Sequence, residues 1–145
     1  MFVTSGINLV FYARAVLRFD DIEGGDWQRV FDYGNGPRTN NILLTQVRAT
    51  SAMRFEFWKD GADYSVEVLD TIVNFEVATY VAQIHADGLM QLFKDDILIG
   101  ERVVDVLPDN EERANKLVGL SNWEVDTPLI GEVLEIDVDE DGFMN

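Results

Sequence analysis

The chain alternates. From residue 7 to residue 19 every odd position is apolar (Ile7, Leu9, Phe11, Ala13, Ala15, Leu17, Phe19), while the even positions include Asn8, Tyr12, Arg14 and Arg18. A period of two is that of a strand with one buried face. A Gly/Asp loop follows at 20–26, and residues 27–33 (WQRVFDY) predict a second strand that Gly34-Asn35-Gly36-Pro37 ends. Residues 41–47 predict a third. Residues 53–58 and 64–68 flank Lys59-Asp60-Gly61, and residues 79–85 and 89–93 flank Asp87-Gly88. Asp-Gly between alternating runs predicts hairpins with positive φ at both central residues. Lys94-Asp95-Asp96 turns into a strand at 97–103, and strands at 116–120 and 129–138 complete the set. One short polar helical turn is expected at 109–114 (DNEERA). About ten strands at spacings of roughly 8–12 residues predict an all-β fold, an antiparallel sandwich or barrel. No repeat or linker divides the chain. A single sandwich is expected over 1–136, followed by an acidic tail at 137–145. His85 alternates with the apolar Ile84 and Ala82 and reads as a surface residue.

Composition narrows the function. At 145 residues and 47% apolar content, one domain with a real core is expected. The 27 acidic residues outnumber the 11 basic ones, for a net charge of −16. That field repels phosphate backbones and anionic headgroups, which argues against nucleic acid and anionic membranes as partners. It favours cations or a partner with a basic face. The chain has no cysteine, hence no disulfide, thiolate metal site or cysteine nucleophile. A lone histidine cannot build a His-based zinc site. No run approaches the roughly 18 apolar residues of a membrane helix, and no signal peptide is read at the start. Much of the acidity sits in loops and in the last nine residues, while Arg14, Arg18, Arg29 and Arg54 lie on strands.

One stretch is more specific than alternation requires: Gly24-Gly25-Asp26-Trp27-Gln28-Arg29-Val30-Phe31-Asp32-Tyr33-Gly34-Asn35-Gly36, followed by Asn41-Ile42-Leu43-Leu44. It resembles the bacterial laminin-G-like domains of the concanavalin A-like lectin/glucanase superfamily. Met53-Arg54-Phe55-Glu56-Phe57, Ala86-Asp87-Gly88 with Leu92-Phe93-Lys94-Asp95, Leu117-Val118-Gly119-Leu120-Ser121-Asn122-Trp123 and Leu129-Ile130-Gly131-Glu132-Val133 fit the same order. The chain departs from the pattern where Asp95-Asp96 replaces the expected Asn-Gly. The resemblance implies a jelly-roll sandwich of two curved sheets. It implies non-catalytic recognition of glycans or protein surfaces, often assisted by calcium.

Candidate chemistry follows. Asp32 and Asn35, with Asp26 nearby in sequence, could supply carboxylate, amide and loop carbonyl oxygens to calcium. The same residue types also satisfy turn backbone. Asp137-Val138-Asp139-Glu140-Asp141-Gly142 matches only the first half of an EF-hand loop. Trp58, Tyr64 and Trp123 sit at strand ends or loops, where a ring can stack on a sugar, and Asn122 beside Trp123 suits sugar hydroxyls. Trp27, Phe31, Phe55, Phe57 and Phe93 are expected in the core. Glu135-Ile136-Asp137-Val138-Asp139-Glu140 resembles the catalytic strand of laminarinase-like β-glucanases, which place two carboxylates about 5–5.5 Å apart for a retaining mechanism. Here it falls on the last strand of a chain too short for their cleft. Three functions are therefore carried forward. The first is a lectin-like adhesion module for glycan or a surface polymer. The second is a decoration or fibre protein on a phage-like particle or other assembly, with capsid-type subunits as partners. The weakest is a β-glucanase. The first two place the protein outside a cell or on a virion surface.

Overall fold

The structure, a computed structural model, describes residues 8–140. It is all-β, with ten strands: β1 (Leu9–Phe19), β2 (Arg29–Gly34), β3 (Ile42–Gln46), β4 (Met53–Lys59), β5 (Ala62–Val68), β6 (Val77–His85), β7 (Leu89–Lys94), β8 (Ile97–Val103), β9 (Asn115–Val118) and β10 (Gly131–Asp139). They form two five-stranded antiparallel sheets, ordered β10-β1-β6-β7-β8 and β5-β4-β3-β2-β9.

The alternation of β1 does what its period dictates. Phe11, Ala13, Ala15, Leu17 and Phe19 are all buried. Opposite them β6 presents Ile84, Ala82, Tyr80 and Ala78 in register. From the second sheet Phe31 and Phe55 reach across, each ring 6.0 Å from Phe11. Burying each such phenylalanine stabilises the fold by about 1.5–3 kcal/mol, so this aromatic contact is a main tie between the layers.

The second sheet also has an outward face. In β4 the inward Phe55 and Phe57 alternate with Arg54, Glu56 and Trp58. Register then assembles rows across the strands. Arg29, Thr45, Arg54 and Glu67 form one, Asp32, Leu43, Glu56 and Ser65 the next, and Trp58 lies opposite Asp63.

Several expectations change. Residues 109–113 form no helix. The buried Arg113 guanidinium instead donates to the carbonyls of Asp109, Glu111 and Asn40, which takes up the segment's own acceptors and ties it to the turn before β3. Asp60 and Gly61 both take positive φ, as a two-residue hairpin needs, but in the other hairpin only Gly88 does. There the Gly88 N–H donates to the His85 carbonyl, the pattern of a three-residue loop closed by a left-handed glycine. Asp95 and Asp96 carry the two-residue turn, both at positive φ. Phe93 is half-buried on the outer side of its sheet, because Leu92 takes the core position and the register shifts between the two. The last strand runs one residue past the expected 129–138, to Asp139, and Asp137 and Asp139, the first acidic residues of the 137–145 segment, pair with Arg14 and Tyr12 of β1. Glu140 then pairs with Arg113 at 3.1 Å. Residues 141–145, and with them the rest of the EF-hand-like match, lie outside the described residues, as does Ile7.

Candidate functional site

The outer face of the second sheet is partly roofed by the segment at 119–128, and a groove opens beneath it. All three tryptophans of the chain line this groove: Trp27 from the loop before β2, Trp58 from the end of β4, and Trp123 from the roof. Trp58 and Trp123 stand 5.9 Å apart, tilted by 50°. Each indole carries a guanidinium. Arg29 lies 5.2 Å from the Trp123 ring centre, Arg38 5.9 Å from Trp58, and Arg54 5.3 Å from Trp27. Cation–π contacts of this kind contribute about 0.5–1 kcal/mol when exposed and more when dry.

A buried polar network fixes the floor. Arg29 donates to Asp32 at 3.1 Å, to Thr45 at 2.8 Å, to the Trp27 carbonyl at 3.1 Å and to Asp126 at 2.9 Å. Arg54 bridges Glu56 and Glu67. The Trp58 indole N–H donates to Glu56 at 2.7 Å, which sets the plane of its ring. Glu56 and Asp126 thus hold the groove's own side chains. Burial raises both carboxyls above their ordinary range, against the downward pull of Trp58 and Arg54 on Glu56 and of Arg29 and Ser121 on Asp126. Arg38 differs: it is exposed at the rim, and among the described residues no carboxylate lies within 4.0 Å of it.

The residues singled out from sequence separate. Trp58 and Trp123 come together in the groove. Asn122 lies behind them and serves the scaffold. Its backbone N–H and side-chain amide both donate to the Asp32 carboxylate, at 3.0 and 2.9 Å. Tyr64 is on the other side of its sheet, stacked on Phe57 at 5.1 Å and packed against the core. Asp32, fully buried, also receives Asn41 at 3.0 Å, so its oxygens face four N–H groups. Asn35 ties residues 112–114 to the β2 turn through the Glu112 carbonyl and the Ala114 N–H. Asp26, exposed, accepts nothing from that network, and its N–H donates to Thr127. Among the described residues no three Asp, Glu or His side chains cluster in a way that could hold a metal ion. Glu135 and Asp137 are exposed on an edge strand, away from the groove.

Alternation alone places Trp27 in the core, and no one motif in the sequence groups Arg29, Arg38, Arg54, Glu56 and Asp126. The Arg54-Phe55-Glu56-Phe57-Trp58 alternation carried part of that signal, since Phe55 and Phe57 inward puts the other three outward. The residues from the loops carried none.

No protein-family model and no curated protein sequence matches the chain. Solved structures do. The CBM40 module of the Ruminococcus gnavus IT-sialidase, bound to α2,3-sialyllactose, aligns with a TM-score of 0.74 at 13% identity, over 93% of this chain and 77% of that one. The NanB sialidase of Streptococcus pneumoniae, as its K499G mutant, aligns at 0.69 and 18% identity, over 89% of this chain and 22% of that one. Sheep galectin-11 with glycerol aligns at 0.52 and 11% identity, over 95% and 99%. At these identities the likeness is one of fold, an antiparallel β-sandwich.

Proposed function

We propose that this domain is a non-catalytic carbohydrate-binding module and that the groove on its second sheet is the sugar site. The observation that carries the reading is the convergence of all three tryptophans, each under an arginine, on one half-open groove. Indole faces bind the C–H face of a pyranose, and guanidinium forks bind hydroxyls or a carboxylate. Arg38 supplies unpaired donors at the rim, so an acidic terminal sugar fits best. The sandwich shared with a module solved on α2,3-sialyllactose supports a sialylated glycan as the first ligand to try. Such a role goes with adhesion at the exterior of a cell or particle, the setting also expected for a laminin-G-like domain.

A glycan array spanning neutral and acidic oligosaccharides, followed by calorimetry on the retained glycans, tests this. The reading expects saturable binding that Trp58→Ala and Trp123→Ala each weaken by about tenfold or more. Retention of nothing on the array, or full affinity in both variants, contradicts it.

A further inference from the structure

The groove does not end at Trp27 and Arg54. Both side chains also line a second depression, of about 590 Å³ against about 250 Å³ for the first, which runs on past Arg48, Ser51, Leu69 and Asp70. The first alone falls short of the roughly 300–1,000 Å³ of a pocket that encloses a drug-sized ligand, and the second lies within that range. Trp27 is the divider. Its backbone N–H donates to the Arg48 carbonyl at 3.3 Å, and its ring carries the Arg54 guanidinium. The two depressions therefore share a wall that is tied to both.

Three observations mark the second depression as a place for a ligand. Arg29 and Arg54 each hold two carboxylates. Arg38 and Arg48, one in each depression, have none within 4.0 Å among the described residues. In a chain with 27 acidic residues, two unpaired guanidiniums along one groove leave donors for something external. Of the second depression's lining, Trp27, Arg48 and Asp70 take left-handed backbone, with φ of 59, 50 and 52°, as do hairpin residues elsewhere such as Asp60, Asp95 and Asp96. Left-handed backbone is costly for large side chains and gathers at ligand sites. Finally, Leu69 is 69% exposed beside Arg48 and Asp70. An apolar side chain flanked by a donor and an acceptor is what the two kinds of surface on a sugar ring need.

We infer that the two depressions are consecutive subsites of one track, so that the ligand is an oligosaccharide whose second unit lies at Arg48 and Leu69, and not a single terminal sugar. This rests on the reading of the first depression as a glycan site.

Calorimetry with three matched pairs tests it: sialic acid with α2,3-sialyllactose, N-acetylglucosamine with chitotriose, and galacturonic acid with trigalacturonic acid. The variants are Arg48→Asn, which tolerates left-handed backbone, and Leu69→Ser. In any pair that binds, the trisaccharide should bind about tenfold or more tighter than the monosaccharide. The double variant should erase that gain and leave the monosaccharide's affinity unchanged. Equal affinity within a binding pair, or a gain that survives both substitutions, overturns the second subsite and leaves the first intact. Binding of none of the six probes removes the glycan reading itself, and this inference with it.

Discussion

The Asp32 carboxylate receives two hydrogen bonds from Asn122, a residue 90 positions later in the chain. With Arg29 and Asn41 on the same two oxygens, this one side chain joins β2, the residue that leads into β3 and the roof that carries Trp123. Removing it leaves Arg29 buried with half its counter-charge and four donors short of an acceptor. Asp32→Ala should cost about 3–5 kcal/mol of folding stability in urea titration. A loss under 1 kcal/mol would show that the roof is held by other contacts.

The same geometry bears on calcium. A lone pair already facing an N–H cannot also face a cation, and Asp32 meets four such donors. The melting midpoint is therefore expected to be the same with EDTA as with millimolar calcium. A calcium-dependent rise of several degrees that Asp32→Asn abolishes would restore a metal to this turn.

Stability should depend on pH in an unusual direction for a carboxylate-rich site. Burial makes Glu56 and Asp126 bind their protons more tightly in the folded chain than in the unfolded one. Such groups stabilise the fold as pH falls through their raised values and cost stability as pH rises through them. The charge of −16 repels itself less in the same direction. Asp20, held low by Arg18, titrates below this window. The midpoint should rise as pH falls from neutrality toward the raised range of these two carboxyls. Glu56→Gln keeps an acceptor for Trp58 and should flatten the slope. An unaltered slope in that variant assigns the dependence elsewhere.

Arg38 separates binding from folding. It is exposed, pairs with no carboxylate among the described residues, and rests on Trp58. Arg38→Ala should leave the melting midpoint in place, within about ±0.5 kcal/mol of stability. It should weaken binding of an acidic glycan about tenfold, as expected for one charged hydrogen bond. Equal losses for acidic and neutral glycans would mean that Arg38 only shapes Trp58.

The sandwich was legible because its signals are local. A period of two over β1 and Asp-Gly turns are written within a few residues of where they act. The groove was legible only in part. Trp58 and Trp123 could be named as exposed-ring candidates, but their meeting depends on register and on a roof anchored through Asp32, a contact spanning 90 residues. Trp27 shares its parity with the inward Phe31, but the strand begins only at Arg29 and its register shifts between Arg29 and Phe31, so Trp27 and Arg29 both reach the groove while Phe31 stays in the core. Tyr64 looked equally exposed until its edge strand turned it onto Phe57.

The most direct measurement of the central claim uses the three indole N–H signals, since the chain has three tryptophans and all line the groove. In a ¹⁵N-labelled sample titrated with the glycan retained on the array, the signals of Trp58 and Trp123 should move saturably. The backbone amides of β4 and of the roof should move with them. Unmoved indoles, with shifts instead on the first sheet's outer face, where Gln83 of β6 pairs with Gln91 of β7, would contradict the account.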